Sequence, residues 1–422
     1  MASIDTARAR AFATNIVRRL RAAGFETLWA GGCVRDYLLG RTPKDYDVAT
    51  SAKPDQIRAL FGKRRTLPLG AAFGVITVLG PPQAGQIDVA TFRCDACYSD
   101  GRHPDHVTFS TPEEDARRRD FTINGLFFDP LTETVVDYVG GREDLERQII
   151  RAIGDPQQRI GEDKLRMLRA VRFATTYHFN IEETTFAAIS ERAEEVRVVS
   201  GERVAQELRR MLYHPNCHSA VELLRQTNLL AALLPELGAP TNNDAWQTTV
   251  AILKIVEPPS FAVPVAVLLR DIGLPPETGK KCVRTICRRW RLTNDERDRI
   301  LRCLERETVL RTACRVPWPR LQRVLVGPGI EESLIHAEAV ARVVNGDVSG
   351  IEYCRQKRAL PADQWNPDPL ISGNDLKEMG IAPGPGYRQI LDHVRDAQLL
   401  HAIKCREDAL RLAEEAYRKM NS

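Results

Sequence analysis

The sequence predicts an α+β fold, a β-sheet head followed by an all-helical remainder, on three observations. The short runs that read as strands lie within about the first 145 residues. From Arg151 onward the apolar residues recur at spacings of three and four, which is helical. Between the first two strand-like runs stands Gly31-Gly32, a tight turn leading into a helix.

Residues 1–24 read as an amphipathic helix, with Ala11, Phe12, Ile16, Val17 and Leu20 on one apolar face and Gly24 as its stop. The stretch is Arg-rich with Asp5 its one acid, as in organelle transit peptides, but it runs directly into a strand and is read as a helix. Glu26 to Ala30 form that strand, Val34 to Leu39 start a helix, and Asp45 to Ala49 form a second strand. Strand side chains alternate, so Asp45 and Asp47 share a face and Tyr46 points away. Two such carboxylates suit hard cations, because Mg²⁺ takes one or two protein carboxylates and completes its shell with water and phosphate oxygens. The Gly31-Gly32 turn lets backbone amides approach a triphosphate closely, and the following helix aims its positive end there. Most isolated Asp-x-Asp pairs are solvated surface, so this pattern gains weight only from its neighbours.

Residues 53–61 read as a short helix, and 70–80 with 86–92 as a β-hairpin interrupted by Pro81-Pro82 and Gly85. Asp88 on the second of these strands is either a third carboxylate that accepts a hydroxyl proton or an ordinary strand acid. Residues 93–111 are rich in turn formers and predict a loop. Arg117, Arg118 and Arg119 then stand in sequence; consecutive cations repel unless an anion lies among them, so Arg118 and Arg119 are candidate triphosphate or sugar contacts, the alternative being a solvated helix end.

Over residues 161–179 a helix would put Asp163 and Arg166 on one face, with Arg169 and Arg172 continuing the stripe and Leu165, Leu168 and Val171 facing a core. One reading is a routine ion pair. The other is that the pair imitates a base: an ionised Asp only accepts hydrogen bonds and Arg only donates. Cytosine and adenine present an amino donor beside a ring-nitrogen acceptor and match; uracil and guanine present a carbonyl and a ring N–H and do not.

Composition sets outer limits. The 422 residues are 43% hydrophobic and 27% charged, enough for two to four domains. A net charge of +4 is too mild to prove a nucleic-acid partner, though 60 Lys and Arg supply a local basic groove. Ten cysteines include one close pair, Cys94 and Cys97, which cannot fill a tetrahedral metal site; reduced thiols and a cytoplasmic protein are expected. No apolar run of about 18 residues occurs. Neither a membrane nor a protein partner is indicated.

Gly31-Gly32-x-Val34-Arg35-Asp36 followed by Asp45-x-Asp47-x-Ala49-Thr50 resembles the nucleotidyltransferase superfamily of the DNA polymerase β type, in its class II branch of CCA-adding tRNA nucleotidyltransferases and bacterial poly(A) polymerases. The resemblance implies a mixed-sheet catalytic head over residues 1–145, a helical neck at 146–239, a body at 240–360 and a tRNA-gripping tail at 361–422. It implies that Asp45 and Asp47 hold two Mg²⁺ ions, with Mn²⁺ as a substitute, and that Gly31, Gly32, Arg35, Arg118 and Arg119 hold the nucleotide phosphates and sugar. RRDFTIN matches a family motif in which Asp120 and Asn124 hold the ribose and the turn, with Gly125 replacing a common Ala. EDKLR matches the Glu-Asp-x-x-Arg template motif, so that Asp163 and Arg166 read the base with Arg169 and Arg172 nearby. VSGERVAQELRRML resembles a bracing helix in which Arg203 and Glu207 are expected to be structural. YSDGRHPD at 98–105 resembles the loop of enzymes that add A.

Residues 246–275 resemble an HD phosphohydrolase segment stripped of its ligands, with Thr248 and Arg270-Asp271 where histidines and His-Asp would stand, so hydrolase activity is not expected there. In the tail, Pro383 to Gly386 break two helices, with Gly386-Tyr387 capping the second. The implied activity is template-independent addition or repair of the 3′-terminal CCA of tRNA from CTP and ATP. The alternatives are addition of the terminal A alone, poly(A) synthesis, or a catalytically inactive RNA-binding protein. GAAFGVITV resembles the CCA-adding form of its hairpin, and intact Asp45 and Asp47 speak against inactivity.

Overall fold

The computed structural model describes residues 4–96, 106–238, 243–271 and 276–421. Asp5 caps helix α1 (Thr6–Ala22) by accepting from the amides of Ala7 and Arg8 at 2.9 and 3.2 Å. The buried face is Ala9, Ala13, Ile16, Val17 and Leu20, and Ala11, expected on it, is exposed. At 100° per residue, 9, 13, 16, 17 and 20 form a continuous stripe that 11 leaves.

The head is built on β1 (Thr27–Ala30), α2 (Gly32–Leu38), β2 (Asp47–Thr50), α3 (Pro54–Phe61), β3 (Thr66–Gly70), β4 (Val75–Leu79), β5 (Gln86–Thr91), β6 (Arg93–Ala96) and β7 (His106–Phe109). It continues through α4 (Pro112–Arg117), β8 (Phe127–Asp129), β9 (Thr134–Val136) and α5 (Gly141–Glu146). Seven strands form one sheet in the order β3-β4-β5-β2-β1-β8-β9. The sheet is mixed: β2 and β5 are parallel, with Asp47 beside Asp88, while the other pairs are antiparallel.

Strand β2 starts two residues later than expected, so Asp45 lies in the bend before it; Asp45 and Asp47 are still exposed and Tyr46 buried, as alternation requires. Strand β3 was not expected. Its TLPLG has a central Pro68 and exposed Leu67 and Leu69, a composition tolerable only at an edge, which is where it lies. The expected strand start at residue 70 is a 3₁₀ turn over Ala71–Phe73, closed by Gly74 at φ 81°, a left-handed conformation that favours glycine. The two ends of the expected loop at 93–111 pair instead as the β6–β7 ladder, and its stretch YSDGRHPD lies outside the described residues. The sheet is packed from within by Trp29, Phe92 and Phe127, all fully buried.

The neck comprises β10 (Ile149–Ile150), α6 (Pro156–Glu162), α7 (Leu165–Tyr177), β11 (Asn180–Ile181), α8 (Glu183–Glu191), α9 (Gly201–Leu212), α10 (Cys217–Gln226) and α11 (Leu229–Leu233). Strand structure does not end at Arg151, because β11 returns to pair in parallel with β10. The expected helix over 161–179 is two helices. Asp163 breaks it in an extended conformation (φ −143°, ψ 106°) and accepts from the Leu165 amide at 3.0 Å, an N-cap-like use of a short carboxylate. Helix α7 buries Leu165, Leu168 and Val171 as the spacing predicts, and α9 buries Val204, Leu208 and Met211 with Glu207 among them.

Residues 1–238 form one compact unit and 239–422 another. The second is helical: α12 (Asn243–Ile255), α13 (Ala262–Leu269), α14 (Pro276–Arg289), α15 (Asn294–Arg311), α16 (Trp318–Leu325), α17 (Ile330–Val344), α18 (Ser349–Arg358), α19 (Ala362–Trp365), α20 (Gly373–Glu378), α21 (Pro385–Leu399) and α22 (Arg406–Asn421). Thr248 donates to the Asp244 carbonyl at 2.8 Å, and Arg270 and Asp271 pair with each other at 3.1 Å. Helix α21 begins at Pro385 with Gly384 before it, so Gly386 and Tyr387 lie within its first turn instead of capping it. Proline at the first helical position needs no amide partner, which sets the start there. No helix among the described residues is long and apolar enough to cross a membrane.

Glu207, 3% exposed, accepts from Arg172 Nε at 2.5 Å and ties α9 to α7. Glu207→Ala strands a buried guanidinium and is expected to destabilise the first unit by about 3–5 kcal/mol, with Glu207→Gln costing less. Urea unfolding checks this, and an unshifted midpoint for Glu207→Ala would refute it.

Candidate active site

A cavity of about 530 Å³ in the first unit is lined by nine arginines and three aspartates, among them Arg35, Asp47, Arg119, Asp163 and Arg166. That charge excess suits a polyanion. Gly31 (φ 71°, ψ −127°) turns the chain from β1 into α2. A Cβ on it would stand 2.7 Å from Arg119 Nη1, so the absent side chain is what admits that guanidinium. Arg35, one turn into α2, reaches back: its Nη1 donates to Asn124 Oδ1 at 2.5 Å, and its Nε and Nη2 donate to Asp36 Oδ1 at 2.9 and 2.8 Å.

The consecutive arginines are held by an anion, as their repulsion requires. Asp115, 2% exposed and on α4, accepts from Arg118 Nε at 2.9 Å with one oxygen and from Arg119 Nη2 at 2.8 Å with the other. The two guanidinium groups outweigh burial and hold its carboxyl below the usual range. Asp120 follows as a buried hub: Oδ1 accepts from the Phe121 amide and Asn124 Nδ2 at 2.8 and 2.9 Å, and Oδ2 from Arg169 Nε at 2.7 Å. Burial opposes its ionisation, but Arg169 and Asn124 prevail and lower it to about 2. Asp120 and Asn124 therefore connect Arg35 to Arg169, joining the head to the neck helix.

On the sheet, Asp47 opens to the cavity while protein crowds it on most sides. That crowding raises its carboxyl to about 6, with Asp88 and Asp45 adding to the rise and Arg119 opposing it. These carboxylates, with Arg119 the opposing charge, supply hard oxygens of the kind a divalent cation takes. Among the described residues no group of three or more His, Cys, Asp or Glu is assembled as a metal site, so solvent or phosphate oxygens would complete the shell. Asp88 sits beside Asp47 and accepts from the Thr77 hydroxyl at 2.5 Å. Asp45 is not among the cavity-lining residues.

Asp163 and Arg166 both line the cavity but do not share a helix face. Asp163 Oδ2 accepts from Arg203 Nη2 at 2.8 Å; Arg166 Nη1 donates to Glu162 Oε2 at 2.7 Å and its Nη2 to the Arg118 carbonyl at 3.2 Å. The Arg166 amide still donates to the Asp163 carbonyl at 3.0 Å across the extended residue, but the two side chains are held by different partners. Arg203 thus holds Asp163, while Glu207 on the same helix holds Arg172. Sequence reasoning missed Asp115 and the pairing of Arg203, and placed Glu162 in a motif without its partner Arg166. Asp115 was accessible, standing three and four residues before Arg118 and Arg119; Arg203, 40 positions from Asp163, left no local signal.

Residues 27–151 match the family described as "Poly A polymerase head domain", and 178–239 the one described as "Probable RNA and SrmB- binding site of polymerase A". The chain is 31% identical over 411 residues to a CCA-adding enzyme of Lactobacillus helveticus, covering 94% of each. It is 36% identical over 391 residues to that of Geobacillus thermodenitrificans, covering 90% of this chain and 91% of the relative. Its structure is similar to that of the Bacillus stearothermophilus CCA-adding enzyme in complex with CTP (TM-score 0.74, 28% identity, 97% and 98% of the two chains). It shares the fold of the Thermotoga maritima CCA-adding enzyme complexed with tRNA_CCA (TM-score 0.67, 21% identity, 97% and 95% covered).

The two glycines of the turn differ in what they exclude: a Cβ at Gly32 would meet Arg35 Nη2 at an ordinary 3.5 Å. Gly31→Ala is expected to lower affinity for inorganic tripolyphosphate about 10-fold or more, by displacing Arg119 and straining a positive φ, and Gly32→Ala to lower it less. Calorimetric titration reads both, and equal effects would contradict the role given to Gly31.

Proposed function

The chain belongs to the family of CCA-adding enzymes, and on that premise we infer that it is a tRNA nucleotidyltransferase that builds or repairs the 3′-terminal CCA from CTP and ATP without a nucleic-acid template. The supporting observation is that Asp47, the arginine cluster and the Asp163–Arg166 donor and acceptor all open on one cavity. Gly32 offers its backbone amide, that of Gly31 being taken by the Leu126 carbonyl at 3.0 Å, and Arg35, Arg118 and Arg119 offer charge, to the triphosphate of the incoming nucleotide. The RNA 3′-hydroxyl attacks the α-phosphorus in line, and pyrophosphate leaves. Asp45 and Asp47 would hold divalent metal, two Mg²⁺ or Mn²⁺ ions in our reading, which when bound supplies activation of the hydroxyl and neutralisation of the phosphates. Asp88, with Thr77 bonded to one oxygen, retains acceptor capacity for the hydroxyl proton. Asp120 and Asn124 fix the sugar-side turn, and Arg169 and Arg172 hold the neck wall of the cavity.

We assign residues 1–145 to the catalytic head, 146–239 to the neck, 240–360 to the body and 361–422 to the tail, with the helical segments gripping tRNA by phosphate and shape. With free thiols and a tRNA substrate, the enzyme belongs in the cytoplasm. Incubation with tRNA ending in the discriminator base, CC or CCA, and each labelled nucleotide singly, tests the reading. Incorporation of A without C would favour the A-adding alternative, and long A tracts the poly(A) polymerase.

Two variants test the residue roles. Asp45→Ala or Asp47→Ala is expected to abolish transfer while salt-sensitive tRNA binding persists; near-normal transfer by either would displace the metal site from these residues. For selection, the Asp163 carboxylate accepts the amino group of C or A, and Arg166 donates to cytosine N3 or adenine N1. Asp163→Ala removes that acceptor and the repulsion of a carbonyl, so the CTP-to-UTP and ATP-to-GTP ratios of kcat/KM should each fall about 10-fold to 100-fold. A common slowing of all four nucleotides would instead mark Asp163 as a brace.

A further inference from the structure

Arg35 is enclosed by two aromatic rings from the neck. Its guanidinium carbon lies 5.2 Å from the centroid of Phe173 and 4.5 Å from that of Tyr177, both on α7. The Tyr177 hydroxyl donates to Asp36 Oδ1 at 2.8 Å, the same oxygen that accepts from Arg35 Nε and Nη2. Arg35 is 6% exposed, and its contacts with Asp36 and Asn124 occupy three of the five N–H groups of a guanidinium. One N–H on each terminal nitrogen is left for a phosphate, and the three held bonds with the ring faces fix its plane.

We propose that Tyr177 is a positioning residue for Arg35, stacking on its guanidinium and orienting Asp36 against its edge, so that α7 sets the triphosphate grip of the head as well as the base edge carried by Arg166. This rests on the assignment of Arg35 to the triphosphate. Burial, with Asp36 adding and Arg35 opposing, pushes the Tyr177 hydroxyl up to about 12, so it remains a donor throughout the range in which the enzyme would work. Arg41 lies over the same ring at 4.9 Å, adding a second cation from the chain that follows α2.

The consequence is a defect confined to what all nucleotides share. Tyr177→Phe keeps the stack and loses one hydrogen bond; it should raise KM for CTP and for ATP by one common factor of about 3–10. Tyr177→Leu loses both, and the factor should reach about 10–100. In both, kcat, KM for tRNA and the CTP-to-UTP ratio should stay within about 3-fold of the parent, and affinity for inorganic tripolyphosphate should fall in parallel with nucleotide KM. Full-length protein is used throughout, with thermal unfolding confirming that each variant is folded at the assay temperature. Should Tyr177→Leu not fold, Asp36→Asn joins Tyr177→Phe, and it too should raise both KM values together. Arg35→Gln separates the two levels of the argument. If it leaves tripolyphosphate affinity unchanged, the assignment of Arg35 fails and the proposal with it. If Arg35→Gln weakens tripolyphosphate and folded Tyr177 variants do not, the positioning role alone is overturned. A change in base preference, or a loss in kcat without a change in KM, would also overturn it.

Discussion

The buried carboxylate of Asp120 is the constraint from which the rest of the cavity takes its shape. It is ionised inside protein, which is tolerable only because Arg169, Asn124 and the Phe121 amide all donate to it. Satisfying it orients Asn124, whose carbonyl oxygen then faces Arg35. The same carboxylate draws the neck helix against the head through Arg169. A single ionised group thus ties Arg35 of the head to Arg169 of the neck helix.

Gathering nine arginines around one cavity is costly, since like charges in a poorly solvated space repel. The structure offsets this locally. Asp115 divides its oxygens between Arg118 and Arg119, Glu162 holds Arg166 and Arg159, and Glu207 holds Arg172. These acids hold the cavity-lining Arg118, Arg119, Arg166 and Arg172 in place before an anionic ligand arrives, so little order remains to be imposed on binding. Asp47 is the counterpart: Asp88 and Asp45 add their charge to its own against Arg119, in a place suited to a cation.

Base selection by protein groups, as proposed for Asp163 and Arg166, needs the same rigidity. A carboxylate free to rotate would accept from any donor the base offered, and discrimination would vanish. The Leu165 amide and Arg203 fix the Asp163 plane, and Glu162 with the Arg118 carbonyl fix Arg166. These bonds explain why the helix is interrupted at Asp163. An intact helix would point both side chains along one face and let them neutralise each other, whereas the break leaves each with acceptor or donor capacity toward the cavity.

The sequence by itself determined the order of sheet and helix, because the periods of two and 3.6 are local properties of the chain. It also disclosed the identities of the charged groups at the site, since Asp-x-Asp, the glycine turn, the arginine run and Glu-Asp-x-x-Arg are contiguous patterns. It could not disclose the edge strand β3, whose TLPLG carries one β-branched residue and a central proline and which exists because a sheet edge was available to pair with. Only the tertiary structure decided the partners: Arg35 with Asn124, Arg169 with Asp120, Arg172 with Glu207 and Asp163 with Arg203. An ion pair between residues tens of positions apart imposes no period on either segment. Its energy arises only once packing brings the two charges together and removes the water that would otherwise have solvated each alone.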